Sequence, residues 1–279
     1  AKSTYGYYTG DNTVELSNSK TTFGPKQSVL GLKNFEMKNH TEESGTSASG
    51  RADYKIAEVS LNGKAVGSAQ LAMSLKNLDI PATLSLMQIY QTKLQPYEQA
   101  AAEAAEAGQP VPELKLTEAE EAQLKTGLEQ LLAAGPQVAL ENLSFNTANG
   151  ESRANLVLNL TKPQSIDLPA DQLVRQMIAL LDVNLKVSKP MLVDILTVQS
   201  QIDGQTDAKL VADQATATAD MFSSMAVGSQ LAKLDNNNVV SQLHYANNQV
   251  EFNGQKMTVE EFVGFVMSKF AGPGVAQEP

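Results

Sequence analysis

Apolar and polar residues alternate along much of this chain. Leu71, Met73 and Leu75 are separated by Ala72 and Ser74 and followed by Lys76. Leu156, Leu158 and Leu160 form a second such run, and Leu181, Val183, Leu185 and Val187 alternate with Asp182, Asn184 and Lys186. A period of two predicts strands with one buried and one wet face, the pattern of an antiparallel sheet covered on one side. On that reading the Leu71 and Leu181 sets point inward, and Ala72, Ser74 and Asp182 point to water.

The strands come in two similar sets. Gly31-Leu32-Lys33-Asn34-Phe35-Glu36-Met37 matches Ala139-Leu140-Glu141-Asn142-Leu143-Ser144-Phe145. Arg51-Ala52-Asp53-Tyr54 then answers Arg153-Ala154-Asn155-Leu156, Leu71–Lys76 answers Leu181–Lys186, and Pro81 and Pro190 each open an apolar helical segment. Four matches in one order point to an internal repeat. In both copies the alternation changes parity, between Leu32 and Phe35 and between Leu140 and Leu143. One strand keeps both apolar sets on one face only with a bulge or corner, expected at Lys33-Asn34 and Glu141-Asn142. Asparagine suits such a bend because it tolerates left-handed backbone.

Local signals place the remaining elements. Tyr5–Tyr8, a turn at Thr9-Gly10-Asp11-Asn12 and Thr13–Leu16 read as an opening hairpin, and Asn62-Gly63 as a tight turn. Pro81 to Ala107 carries Leu86, Tyr90, Leu94 and Tyr97 on one stripe. Thr117-Glu118-Ala119-Glu120 is a capping box opening a helix with Leu124, Leu128, Leu131 and Leu132, stopped at Gly135-Pro136. These two helices predict a projecting αα-hairpin over 81–134. Asp167-Leu168-Pro169-Ala170 starts a helix through Leu181, with Leu173, Met177 and Leu180 on one side. Pro190 to Lys233 reads as helix interrupted near Ile202-Asp203-Gly204, its second part presenting Leu210, Ala217, Met221, Met225 and Leu231. Val239–Tyr245, Gln249–Phe252 and a helix capped at Thr258 with Phe262, Phe265 and Val266 close the chain, and a disordered tail is expected from Gly272 onward. The division is then 1–27 (hairpin), 28–136 (first repeat), 137–235 (second repeat) and 236–279 (hairpin, helix and tail).

Composition narrows the chemistry. The 279 residues contain no Cys and no Trp, only 2 His, and a net charge of −10. Without Cys there is no disulfide, zinc finger, iron–sulfur cluster or thiol nucleophile. The acidic balance argues against nucleic acid as a partner. No apolar run approaches the ~18–20 residues that span a bilayer. Much of the acidity sits in 98–130, where eight Glu face only Lys115 and Lys125. The first Met is Met37, so the chain reads as a fragment or a processed protein.

Catalytic signatures are missing. His40 lies in a polar segment and His244 in a strand beside Tyr245, and no G-x-S-x-G elbow accompanies either. Asp203-Gly204-Gln205-Thr206-Asp207 and Asp235-Asn236-Asn237-Asn238 lack the ligand spacing of a calcium loop, and no phosphate-cradling or dinucleotide motif occurs. The expectation is a non-enzyme with no metal and no cofactor.

The segment Val250-Glu251-Phe252-Asn253-Gly254-Gln255-Lys256-Met257-Thr258-Val259-Glu260-Glu261-Phe262, together with the repeated Leu-x-Asn-apolar strands, resembles the DUF945 family over most of the chain. That resemblance implies a bacterial envelope protein, with a periplasmic body and an inner-membrane anchor that this sequence does not contain. It carries over no catalytic residue.

The expected fold class is α+β, an antiparallel twisted sheet built from two related repeats with a helical hairpin and packed helices. Two functions fit it. In the first, an apolar sheet face formed by Leu71, Met73, Leu75, Leu156, Leu158, Leu160, Leu181, Val183 and Leu185 binds lipid or an acylated envelope partner. Burial of those residues beneath the helices as an ordinary core ranks ahead of an open face, because large exposed apolar patches are rare. In the second, the helical hairpin mediates homodimerisation or docking to a protein.

Overall fold

The computed structural model describes residues 2–6, 8–25 and 27–270, without the side chain of Phe270. The expected disordered tail lies outside these residues. Four long strands come first: β1 (Gly10–Phe23), β2 (Ser28–Ser44), β3 (Ser47–Leu61) and β4 (Lys64–Asp79). Helix α1 (Ile80–Ile89) runs through one wider turn, Tyr90–Leu94, into α2 (Gln95–Glu106), and α3 (Glu118–Ala133) follows. Then come β5 (Gln137–Asn146), β6 (Glu151–Leu160), α4 (Ala170–Met177), β7 (Ile178–Ser188), α5 (Lys189–Ile202) and α6 (Ala208–Gly228). The described residues close with β8 (Lys233–Asp235), β9 (Asn238–Ala246), β10 (Gln249–Phe252), β11 (Gln255–Thr258) and α7 (Val259–Phe270).

All eleven strands join one antiparallel sheet in the order β1-β2-β3-β4-β5-β6-β7-β9-β10-β11, with β8 also on β9. The class is therefore α+β, dominated by antiparallel sheet. The turns follow their residue types: Asn62 and Gly63 take φ of 51° and 80°, Asn253 and Gly254 of 51° and 79°. Such left-handed pairs match the twist of the flanking strands. The helix starts are equally local. Asp79 accepts from the Ala82 amide, Ser188 from the Met191 amide, and Thr117 and Glu120 form the reciprocal capping box.

At the two expected irregularities the backbone does different things. Leu140 pairs with Leu156 and Leu143 with Ala154, so Glu141 and Asn142 together oppose Asn155, which is a bulge. Asn34 instead adopts φ 48° with no extra residue, since Lys33 and Phe35 pair with Glu58 and Ile56 in unbroken register. The corner at Asn34 is made by left-handed backbone alone.

Several elements differ from the sequence reading. Among the described residues no hairpin joins Tyr5–Tyr8 to Thr13–Leu16: the expected turn residues Gly10, Asp11 and Asn12 already belong to β1, which pairs along β2 from Gly10–Thr41 to Phe23–Ser28. A long ladder satisfies more backbone than a four-residue arm. Helix α4 stops at Met177 rather than Leu181, because Ile178 and Leu180 join the ladder opposite Leu160 and Asn159. On α6 the buried stripe is Val211, Ala215, Ala219 and Ser223, while Leu210, Met221 and Met225 of the expected stripe are exposed. Short side chains allow α6 to approach α5 closely, and Lys189 of α5 pairs with Asp220 of α6 at 2.5 Å.

Helices α1 and α3 also lie side by side. The Gln123 amide donates to the Ser85 hydroxyl at 3.0 Å, Lys93 pairs with Glu120 at 2.9 Å, and Leu86 sits against Gly127. The lysine, together with the Thr117 backbone amide, lowers the Glu120 pKa to about 2.

The molecule is open. Its accessible surface is 17495 Å², against roughly 11,700 Å² for a compact protein of this mass. Most of its fully buried apolar side chains are Ala or Val.

Candidate functional site: an apolar groove on the sheet

Pairing register decides which side chains share a face, since directly opposed residues of antiparallel strands point the same way. One row runs Asn12, Asn39, Ala52, Met73, Leu140, Leu156, Val183, Leu243 and Phe252. The next contains Gly50, Leu75, Val138, Leu158, Leu181 and Tyr245. A third contains Val14, Met37, Tyr54, Leu71, Leu143, Ala154 and Leu185. Leu160 lies two residues beyond Leu158 on β6. The nine residues singled out by alternation thus lie on three strands of one sheet face.

That face is covered at one end and open in the middle. Towards β9 the Tyr245 hydroxyl lies 3.2 Å from the Arg175 carbonyl oxygen of α4 and 3.0 Å from Asn248 Oδ1, two acceptors that share its one proton, and burial raises its pKa. Phe252 packs on the rings of Phe262 and Phe265 in α7, with centroids 5.4 and 5.7 Å away. Over β4 and β5 the situation reverses the sequence reading. Met73 is 40% and Leu75 41% exposed, whereas Ala72 and Ser74 retain only 8% and 5%. Val138, Leu143 and Leu185 are exposed as well. The open stretch forms a groove of about 700 Å³, floored by Met73, Leu75, Val138, Leu140 and Leu156 and bordered by Tyr8, Asn12 and Asn39.

The opposite face explains why small residues are the buried ones. Arg51 forks onto Asp53 with both N···O distances 2.7 Å and also pairs with Glu141. Glu141 accepts the Ser74 hydroxyl at 2.8 Å, and that bond, followed by Arg51, holds its carboxyl below the ordinary range. Long charged side chains lie over short ones and shield them. The side chain that alternation assigns to water is roofed by its own ion pairs.

Of the predicted residues, Met73, Leu75 and Leu156 line the groove itself. Leu71, Leu158, Leu160, Leu181, Val183 and Leu185 continue the same face beyond it. The sequence reading missed Ala52, Val138 and Leu140 as lining, along with Asn12 and Asn39 at the rim. Leu140 stands out in the sequence as a repeat match and at a parity change, and the others become neighbours through pairing between distant strands. The two histidines point elsewhere. His40 Nδ1 lies 2.9 Å from Asp11, which raises its pKa, and His244 Nδ1 lies 2.5 Å from Asp182. Among the described residues no group of three His, Asp or Glu is placed to hold a metal ion, and no helix is long and apolar enough to cross a membrane.

A family model described as "Bacterial protein of unknown function (DUF945)" matches residues 1–260. Protein YdgA of Escherichia coli (strain K12) is 26% identical over 294 aligned residues, covering 99% of this chain and 54% of that protein. The Uncharacterized protein YihF of the same organism is 25% identical over 211 residues, covering 75% of this chain and 42% of its own length. The chain therefore spans about half the length of the curated relatives it matches. No solved structure matches it. With the family model covering nearly the whole sheet, the chain belongs to DUF945, a bacterial family of unknown function.

Proposed function

We propose that this chain is a non-enzymatic lipid-binding module of the bacterial envelope, the periplasmic body of a membrane-anchored protein. The observation that carries the reading is the exposure of Met73 and Leu75 on an otherwise continuous apolar sheet face. Leaving such side chains in water forgoes roughly 25 cal/mol per Å² of apolar surface, which an acyl chain laid in the groove recovers. A groove of this volume suits one small ligand. Native mass spectrometry of the protein with added phosphatidylethanolamine tests it. A bound lipid is expected, and it should be lost in Met73→Glu and Leu140→Glu. No adduct on the wild type, or adducts undiminished in both variants, sinks the reading.

The repeat belongs to the same proposal. We read β2–β4 with α1 and β5–β7 with α5 as two copies of one unit. Supporting this, each helix follows its third strand directly, with Pro81 and Pro190 in its first turn and a side-chain cap at Asp79 and Ser188. In that alignment Leu71, Met73 and Leu75 match Leu181, Val183 and Leu185, so duplication doubles the width of the apolar face.

A second reading uses the 81–134 helices as a docking or homodimerisation hairpin. Its support is α1 and the wider turn after it, which leave Leu84, Met87 and Tyr90 exposed after α1 packs on α3. Light scattering on the full chain and on a deletion of residues 98–116 decides it, and a monomer mass in both removes it.

A further inference from the structure

We infer that the groove selects an acyl chain carrying a headgroup without net negative charge, such as a neutral glycerol ester, over a free fatty acid; this rests on the lipid-binding reading above. The first row of the face changes character along its length. Leu156, Leu140 and Met73 are large and apolar, Ala52 is small, and Asn39 and Asn12, directly opposed across β1 and β2, are carboxamides. An amphiphile laid along this row places its tail over β4–β6 and its head at the two asparagines. Carboxamides donate and accept, so they suit hydroxyls and ester oxygens.

A carboxylate finds no partner charge there. Arg51 and His40 share a row with Ser74 and Asp11 and point to the opposite face, where Arg51 is engaged by Asp53 and Glu141, and His40 by Asp11. Among the described residues that line the groove, none whose side chain lies on its open face is Lys, Arg or His. A desolvated anion without a compensating cation is strongly disfavoured.

The test compares 1-monooleoylglycerol with oleate, which share one tail, by native mass spectrometry and calorimetry at pH 8. The ester is expected to bind at least about tenfold more tightly. Asn39→Lys, checked for a wild-type circular dichroism spectrum, should raise oleate affinity by a similar factor, with Asn12→Lys as the equivalent change on the neighbouring strand. Oleate binding as tightly as the ester overturns the selectivity while leaving lipid binding in place. Oleate affinity unchanged in both folded Lys variants overturns the placement of the headgroup. If neither amphiphile binds the wild type, the lipid-binding reading falls, and the selectivity with it.

Discussion

The Ser74 hydroxyl donates to Glu141 across the β4–β5 pairing at 2.8 Å, from a side chain that keeps 5% of its surface. Its chain neighbour Met73 points to the other side of the sheet and stays 40% exposed. These adjacent residues define the protein's two faces: one roofed by its own ion pairs, the other apolar and open.

The Glu141 carboxylate has a lowered pKa, caused first by Ser74 and then by Arg51. Its contribution to stability is complete above the unfolded value of about 4.3 and is lost as pH falls through the lower folded value. Glu141→Gln should cost about 0.5–1 kcal/mol near neutrality, after solvent screening is allowed for. The melting temperature of the variant should also fall less steeply than that of the wild type below about pH 5. Parallel acid limbs in thermal scans of the two proteins contradict this account.

Core and surface on β4 are distinguishable by substitution. Met73→Ala should cost less than about 1 kcal/mol, because the side chain is already largely hydrated. Ala72→Leu should cost about 1–3 kcal/mol by overpacking. Urea unfolding of both variants reads the difference directly. The reverse order would place Met73 in the core after all.

Gly67 tests the β4–β5 contact. A Cβ built there lies 1.9 Å from the Asn146 carbonyl oxygen, a backbone atom that moves only with its strand. Gly67→Ala is expected to destabilise by about 2 kcal/mol or more and to weaken amide protection in β5. A melting point within a degree of wild type counts against this approach of the strands.

The corner at Asn34 makes a sharper prediction. At φ 48°, Asn34→Gly should be close to neutral, whereas Asn34→Val should lose about 1–2 kcal/mol through the left-handed clash of its Cβ. Asn142, at the β5 bulge, is absent from the positive-φ positions, so Asn142→Val should show no such penalty. Equal losses at both sites would remove the distinction between corner and bulge.

On α6 the exposed row invites an analogous pair. Met225→Gln at 67% exposure should stay within about 0.5 kcal/mol of wild type. Ala219→Leu, at a site 1% exposed, should cost about 1–3 kcal/mol. Chemical denaturation separates the two outcomes.

What could be read along the chain was whatever depends on near neighbours. Asn62-Gly63 and Asn253-Gly254 make left-handed turns because their own backbones permit it. Thr117 caps α3 through a partner three residues away, and the parity change at Leu140–Leu143 demanded an extra residue that the bulge supplies. Alternation also sorted Leu71, Met73 and Leu75 correctly from Ala72 and Ser74. It could not say which set meets water. Exposure depends on what stands over a side chain, and those neighbours arrive from distant positions: Arg51 and Glu141 over Ser74, α4 and α7 over the β9–β10 end, and no helix over Met73. The same non-local choice gave β1 to β2 instead of to Tyr5–Tyr8, and turned the alanine stripe of α6 inward. Periodicity separates two faces; only tertiary packing, by placing long side chains and helices over one of them, makes the other a groove.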